Sequence, residues 1–99
     1  FNSGTNMGQT CAPSIQSMVH TACAATSYTT ILNGRFKGGY TTRHYGRPSE
    51  GWHAIQMELA QSTHLTAESA PFGYDEAKAE RLRVPLKQIL TSLQNWSPS

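Results

Sequence analysis

The side chains of this chain with the clearest capacity for chemistry are positively charged and close together in sequence. Residues 1–49 contain no Asp or Glu, yet four of the eight Lys and Arg residues fall within positions 35–47. These four are Arg35, Lys37, Arg43 and Arg47. Because the net charge of the whole chain is only +2, this pattern indicates a local anion-attracting patch rather than a generally basic protein. It predicts that the ligand is a small anion or a nucleic acid.

Single-stranded nucleic acid and a bound nucleotide are two possible anionic ligands of this patch. Phe36, Tyr40 and Tyr45 alternate with the basic residues and could stack on the bases of a single strand, but the low net charge disfavours nucleic acid. The glycines of the segment follow neither the dinucleotide-binding pattern nor the Gly-Lys-Ser/Thr ending of a phosphate-binding loop. Nucleotide binding is therefore rejected, and nucleic acid is kept as a disfavoured alternative.

The four histidines do not form a recognisable metal site with the nearby carboxylates. His53 and Glu58 are separated by five positions on a predicted strand, so they face opposite sides and cannot share an ion. His20 and His64 have no short-range ligand spacing to the others. We therefore expect no metal ligands from this chain alone.

The first predicted element is an amphipathic helix over residues 12–25. Its apolar residues recur at steps of three and four, and Pro13 occupies a position that the first helical turn tolerates. The apolar positions are Ile15, Met18, Val19 and Ala22. Residues 28–32 are rich in β-branched and aromatic side chains and are followed by Asn33-Gly34, which predicts a short strand and a turn.

A glycine-rich loop is predicted over residues 34–51, and it leads into the clearest strand, residues 52–60. In that strand His53, Ile55, Met57 and Leu59 point one way. Trp52, Ala54, Gln56, Glu58 and Ala60 point the other way. Residues 62–73 are predicted to be a connecting loop.

A long helix is predicted from Asp75 onward. Its apolar stripe is formed by Leu82, Leu86, Ile89, Leu90 and Leu93. Pro85 is expected to bend or locally break this helix, because proline lacks the N–H and crowds the preceding turn. The resulting order, helix-strand-loop-strand-helix, predicts a small α/β unit with too few strands for a complete doubly wound sheet.

Four segments of the sequence resemble N-formylglutamate amidohydrolases. The run NGRFKGGYTTRHYG at residues 33–46 resembles the signature loop of that family, and HAIQMEL at residues 53–59 resembles the strand that follows it. Residues 4–11 and the run PFGYDEA at residues 71–77 also look like family segments. The resemblance covers nearly the whole chain and occurs in the family's order.

The resemblance implies a fold and a reaction. It implies that residues 1–99 are a partial domain, similar to the C-terminal part of an α/β fold like that of zinc carboxypeptidases. Members of the family hydrolyse N-formyl-L-glutamate to formate and glutamate in histidine degradation. Zinc is the cofactor of the intact family, and its ligands look to be placed before the point that corresponds to Phe1, so this chain alone is expected to be inactive and to hold no zinc.

The resemblance also implies roles for individual residues. Glu58 becomes the candidate general base, since a carboxylate can take a proton from water and later pass it to the leaving amine. Arg43 becomes the best candidate for binding a substrate carboxylate, because its planar fork suits bidentate recognition. Arg35, Lys37 and His44 are further candidates for substrate binding. Without the resemblance, each is more simply interpreted as an exposed polar side chain.

Three hypotheses about function follow. The first is a C-terminal fragment of a zinc-dependent amide hydrolase acting on a small anionic substrate. The second is a repurposed binding or assembly module that forms a homo-oligomer, because so short a chain buries a limited core. The third is a nucleic-acid binder.

Composition adds expectations about the environment. The hydrophobic fraction of 37% is typical of a single globular domain, which we predict to span residues 1–99. No apolar run approaches the roughly 20 residues that cross a bilayer. Cys11 and Cys23 would stand about 18 Å apart on one helix, which favours reduced thiols and a cytoplasmic location.

Overall fold

The computed structural model describes residues 1–98 as a small mixed α/β structure. Its residues cluster into two compact units, Phe1–Glu58 and the part that begins at Leu59. The prediction of one domain over residues 1–99 stays a prediction. Within residues 1–98, the structure contains no helix with the length and apolar character needed to cross a membrane.

A three-stranded sheet organises the first unit. Strand β1 (Asn2–Gly4) lies in the centre, between β2 (Ile31–Leu32) and β3 (Gln56–Glu58). It pairs with β2 in parallel and with β3 in the antiparallel direction. Because parallel strands need a long crossover, helix α1 (Pro13–Ala24) connects β1 to β2.

The predicted strands are present but shorter than expected, and β1 was missed. Asn-Ser-Gly has low strand propensity, so local sequence gave no sign of β1. Tertiary pairing on both edges stabilises it instead. Since β1 has only three residues, its neighbours can pair over only two or three positions, which shortens the strands predicted at 28–32 and 52–60.

Helix α1 has the predicted amphipathic character. Ile15, Val19 and Cys23 are its buried residues, whereas Met18 is only half-buried. The N-cap residue Ala12 offers no side-chain oxygen. Its backbone N–H donates a hydrogen bond to Nδ1 of His53 over 3.0 Å, which anchors the start of the helix.

Both cysteines of the first unit are free and buried, as the expectation of reduced thiols requires. Cys11 lies before α1 rather than on it, so the one-helix geometry considered from sequence does not apply. Burial raises the pKa of both the Cys11 and the Cys23 thiol above the ordinary value of 9.0. The thiols therefore stay protonated and inert at neutral pH.

The region predicted as a loop over residues 34–51 contains helical structure. Helix α2 (Tyr40–Tyr45) and a 3₁₀ helix (Pro48–Glu50) both form within it. Six residues are too few to show apolar periodicity, and α2 is bounded by Gly39 and Gly46, so the sequence favoured a loop. The helix-strand-loop-strand-helix order is corrected accordingly.

The second unit consists of a 3₁₀ helix (Gln61–Thr63), an irregular segment and helix α3 (Glu76–Gln94). The Asp75 side chain caps α3 by accepting a hydrogen bond from the Lys78 backbone N–H over 3.0 Å. The helix continues through Pro85, so the predicted local break does not occur, while the alternative of a bend stays a prediction. Pro85 is buried within the helix, although its ring lacks the N–H that would donate to the carbonyl of the preceding turn.

The apolar stripe of α3 is narrower than predicted. Leu82 and Ile89 are buried, but Leu90 is 65% exposed. Leu90 follows Ile89 directly and so lies about 100° further around the helix axis, outside the buried stripe.

Candidate active site

The start of the basic segment (residues 35–47) lies directly against strand β1. The Asn2 side chain donates from Nδ2 to the Phe36 carbonyl over 2.6 Å, and the Asn6 backbone N–H donates to the Lys37 carbonyl over 2.6 Å. Gly4 permits this close approach, since a Cβ there would lie 2.8 Å from the Lys37 carbonyl carbon. The basic segment therefore packs on the sheet face that Gly4 leaves open.

The turn before the basic segment is fixed by the Asn33 side chain. Asn33 adopts a left-handed backbone conformation, with φ at 52°. Its Oδ1 accepts from the Thr5 backbone N–H over 2.8 Å, and its Nδ2 donates to the Thr5 hydroxyl over 2.9 Å. Thr5 is fully buried, and its hydroxyl also donates to Gln16 over 2.6 Å. The sequence predicted a turn here but not the buried polar network that holds it.

Glu58 is the last residue of β3 and is half-buried. Its Oε1 accepts a hydrogen bond from Nε2 of Gln56 over 2.7 Å. The predicted alternation is confirmed at these positions. Gln56 and Glu58 share one face of β3, while Met57 points to the other and lies with its sulfur 3.9 Å from the Ser3 hydroxyl.

The other end of the Gln56 amide contacts helix α2. Oε1 of Gln56 accepts from the Gly39 backbone N–H over 2.6 Å and from the Thr42 hydroxyl over 3.2 Å. Gly39 is the N-cap of α2, and Thr42 is the buried residue of that helix. One amide thus links the Glu58 carboxylate to the beginning of α2.

Helix α2 presents Arg43 and His44 on an exposed surface. Nη1 of Arg43 donates to the Gly38 carbonyl over 3.1 Å, which ties the guanidinium to the basic segment. His44 stacks on Tyr40, with ring centroids 5.0 Å apart, and meets Tyr45 edge-on at 4.7 Å. The imidazole is therefore held between two tyrosines.

The remaining cations of the basic segment differ in their partners. Arg47 forms a salt bridge with Glu50, with 3.8 Å between Nη1 and Oε2. Lys37 donates to the Gly34 carbonyl over 3.2 Å, and the Arg35 guanidinium lies 5.7 Å from the centre of the Phe36 ring. Within residues 1–98, Arg35, Lys37 and Arg43 have no carboxylate within salt-bridge distance.

These contacts bring some of the predicted site residues together. Glu58 and Arg43 are joined through Gln56, Gly39 and the first turns of α2, and His44 lies on the same helix. Arg35 and Lys37 share the chain segment, but in the described part of the chain their side chains form no hydrogen bond with that network. The roles proposed for all five residues stay predictions.

Gln56 is the site residue that sequence reasoning missed. The strand alternation had already placed it on the Glu58 face, so its proximity to the carboxylate was predictable. Nothing in the sequence showed that a backbone N–H from position 39 would meet the far end of its amide. That contact requires the basic segment to fold back over β1.

A protein zinc site needs three or four His, Cys, Asp or Glu side chains grouped around one point. Within residues 1–98, no three His, Cys, Asp or Glu side chains are grouped closely enough to hold a metal. Nδ1 of His53 accepts a hydrogen bond from the Ala12 N–H, and Oε1 of Glu58 accepts one from Gln56. The described residues therefore do not fit a zinc site.

Comparison with known proteins assigns a family to this arrangement. The family model described as N-formylglutamate amidohydrolase matches residues 1–65, which include every predicted site residue. The chain belongs to the N-formylglutamate amidohydrolase family.

Individual family members match over nearly all of the chain. N-formylglutamate deformylase of Pseudomonas aeruginosa is 47% identical over 97 residues, and the Pseudomonas putida protein of the same name is 50% identical over 97 residues. Each alignment covers 97% of this chain but 36% of the relative. The chain thus spans about a third of the length of these N-formylglutamate deformylases.

A solved structure supports the fold. The crystal structure of N-formylglutamate amidohydrolase from Ralstonia eutropha JMP134 superimposes with a TM-score of 0.79 at 24% identity. The match covers 94% of this chain and 32% of that chain. The small mixed α/β structure is therefore a part of the N-formylglutamate amidohydrolase fold.

Proposed function

We propose that this chain supplies the general base and the carboxylate-binding residues of a hydrolase that converts N-formyl-L-glutamate to formate and glutamate. The observation that carries the proposal is the hydrogen-bonded link from Glu58 through Gln56 to α2. This helix bears Arg43, which has no carboxylate partner within residues 1–98. The names of the two Pseudomonas relatives support the substrate.

Glu58 has the placement that proton transfer requires. Its Oε1 is engaged by Gln56, and within the described chain its Oε2 accepts no protein hydrogen bond. Oε2 would take a proton from water as the water oxygen adds to the formyl carbon. The same proton would pass to the amine nitrogen as the C–N bond breaks, and such general acid-base steps contribute about 10²–10⁴-fold to rate.

Arg43 would bind a carboxylate of the glutamyl group. Only Nη1 of its guanidinium is used within the described structure, so the fork keeps donors for a bidentate contact. Lys37 and Arg35 add positive charge on the same segment, and His44 would border the substrate from its position between the tyrosines. Residues 1–49 contribute no acid, so the four cations of the basic segment outnumber the neighbouring carboxylates of Glu50 and Glu58.

Zinc, the expected cofactor of the intact family, would have to be held by donors other than the described residues. We accordingly assign no step of the reaction to it on this chain. The likeness to a zinc-carboxypeptidase-like fold, in which this chain forms the C-terminal part, belongs to the same proposal. So does the expectation that the chain alone is inactive.

A hybrid enzyme tests the proposal. This chain replaces the matching third of the Pseudomonas putida deformylase, and formate release from N-formyl-L-glutamate is measured with zinc present. Turnover that Glu58→Gln abolishes supports the assignment. A folded hybrid that keeps full activity with that substitution contradicts it. Turnover by this chain on its own would overturn the expected inactivity and the placement of zinc donors elsewhere.

A second candidate function is an assembly module that forms a homo-oligomer. The observation in its favour is the edge strand β2, where Ile31 is 52% exposed. An unpaired edge with an exposed apolar side chain can pair with another copy. Light scattering would show a mass above 10.9 kDa that falls with Ile31→Lys, whereas a monomer at high concentration would exclude the module.

A further inference from the structure

We infer that Gln56 is a positioning residue that orients the Glu58 carboxylate and fixes the start of helix α2 with the same amide group. The inference rests on the proposed role of Glu58 as the base. It goes beyond that role, because the orientation of the Glu58 carboxylate then depends on the position of α2, the helix that carries Arg43.

The orientation of the Gln56 amide follows from its partners. A backbone N–H can only donate, so the atom 2.6 Å from the Gly39 nitrogen must be the amide oxygen. The nitrogen then faces Glu58, where an ionised carboxylate can only accept. A flipped amide would place donor against donor and acceptor against acceptor. The two contacts therefore enforce one orientation.

The sheet register explains how three distant segments reach one amide. Gln56 lies opposite Gly4 in the β1–β3 pair. Because Gly4 lacks a side chain, the Lys37–Gly38 backbone can lie over it, with a Cβ at position 4 falling only 2.9 Å from the Gly38 nitrogen. This brings Gly39 within hydrogen-bonding distance of Gln56.

The contact with Glu58 has a consequence for the reaction. A hydrogen bond to a charged acceptor is about twice as strong as a neutral one. By engaging Oε1, Gln56 restricts the rotation of the carboxylate and leaves Oε2 as the oxygen available to water. An unrestrained glutamate would have to lose that freedom during each turnover.

Substitutions at position 56 can separate the two contacts. Gln56→Glu keeps an oxygen for the Gly39 N–H and the Thr42 hydroxyl but replaces the donor to Glu58 by an acceptor. Gln56→Met has similar length and removes the hydrogen bonds to Gly39, Thr42 and Glu58 together. Thr42→Val is the matched control, since it removes only the weaker 3.2 Å contact and preserves side-chain shape.

Nuclear magnetic resonance on this chain provides the structural test. In the parent protein the Gly39 amide hydrogen should exchange slowly, and Gln56→Met should accelerate exchange about tenfold or more. Gln56→Glu and Thr42→Val should keep it slow. Glu58→Met leaves position 56 intact but removes the acceptor of the Gln56 amide, so it should shift the Gln56 side-chain amide signals upfield. Unchanged Gln56 signals in that variant would overturn the inference.

Kinetics distinguish positioning from a merely structural role. In the hybrid enzyme, Gln56→Glu should lower kcat about tenfold or more, because the Glu58 carboxylate loses the donor that orients it. KM should stay nearly unchanged, because α2 stays anchored. The acidic limb of its pH–rate profile should also move to higher pH. Two adjacent carboxylates share a proton, so the base stays protonated up to a higher pH. An unaltered kcat and pH profile would refute positioning. If no assembly shows turnover, the proposed function fails, while the resonance test still decides whether Gln56 holds Glu58.

Discussion

The Gln56 side-chain nitrogen lies 2.7 Å from Oε1 of Glu58, and both residues project from the same face of β3. The oxygen of the same amide lies 2.6 Å from the Gly39 backbone nitrogen. The carboxylate assigned as the base is thereby connected to the basic segment through a single side chain. Changes on either side of this link should therefore affect the site as a unit.

Glu58→Gln should reduce turnover by about 10²–10⁴-fold, because the amide cannot accept the proton that the carboxylate would take. Formate release in the hybrid enzyme measures the effect. Glu50→Gln is the matched control, since Glu50 is exposed and paired with Arg47 rather than with Gln56. Equal losses in the two variants would show that the effect is general and not specific to Glu58.

Arg43→Lys should raise KM for N-formyl-L-glutamate about tenfold, because a lysine keeps the charge but loses the planar fork. Arg47→Lys is the control, as Arg47 is already paired with Glu50. N-formyl-L-glutamine lacks the side-chain carboxylate, so it tells which carboxylate Arg43 binds. A smaller effect of Arg43→Lys on the KM for this compound indicates the side-chain carboxylate, and an equal effect indicates the α-carboxylate. An unchanged KM for the Arg43 variant would remove this residue from substrate binding.

Gly4→Ala should lower the free energy of unfolding by about 1–3 kcal/mol, because the new methyl group would meet backbone atoms that cannot rotate away. Those atoms are the Lys37 carbonyl carbon at 2.8 Å and the Gly38 nitrogen at 2.9 Å. Gly51→Ala is a control for conformational strain alone, since Gly51 has φ of 81° and open space around its Cβ position. Urea unfolding should rank Gly4→Ala as the more damaging change, and the reverse order would contradict the close packing.

Stability should fall as the pH rises above about 9, owing to the two buried thiols. Burial raises the pKa of Cys11 and Cys23 above 9.0, so the unfolded chain loses these protons at lower pH than the folded chain does. The contribution of each protonated thiol to the free energy of unfolding is complete below pH 9 and is lost as the pH rises through the folded pKa. The loss is at most about 1.4 kcal/mol per pH unit for each thiol. Urea unfolding between pH 7.5 and 10.5 measures it.

Cys11→Ala and Cys23→Ala separate the thiols from lysines and tyrosines that ionise in the same range. Each variant should show a shallower loss of stability with rising pH than the parent protein. Parallel curves for the parent and both variants would exclude the thiols as the cause.

The family relationship and the identity of the candidate residues followed from the sequence. The runs at residues 33–46 and 53–59 predicted the N-formylglutamate amidohydrolase family that the comparisons show. Strand alternation placed Gln56 and Glu58 on one face, and apolar periodicity predicted α1 and α3. These features are local, because they depend only on side-chain order and backbone period.

Tertiary structure decided what holds the site together. Strand β1 has no local signal and exists because β2 and β3 pair with it, and α2 is too short for its periodicity to be seen. The contact between Gln56 and Gly39 depends on Gly4, which lies far from both in sequence and lets the basic segment approach the sheet. The sequence alone thus determined which residues could take part in chemistry. Only long-range packing decided which of them meet, because hydrogen bonds between distant segments leave no periodic trace in the sequence.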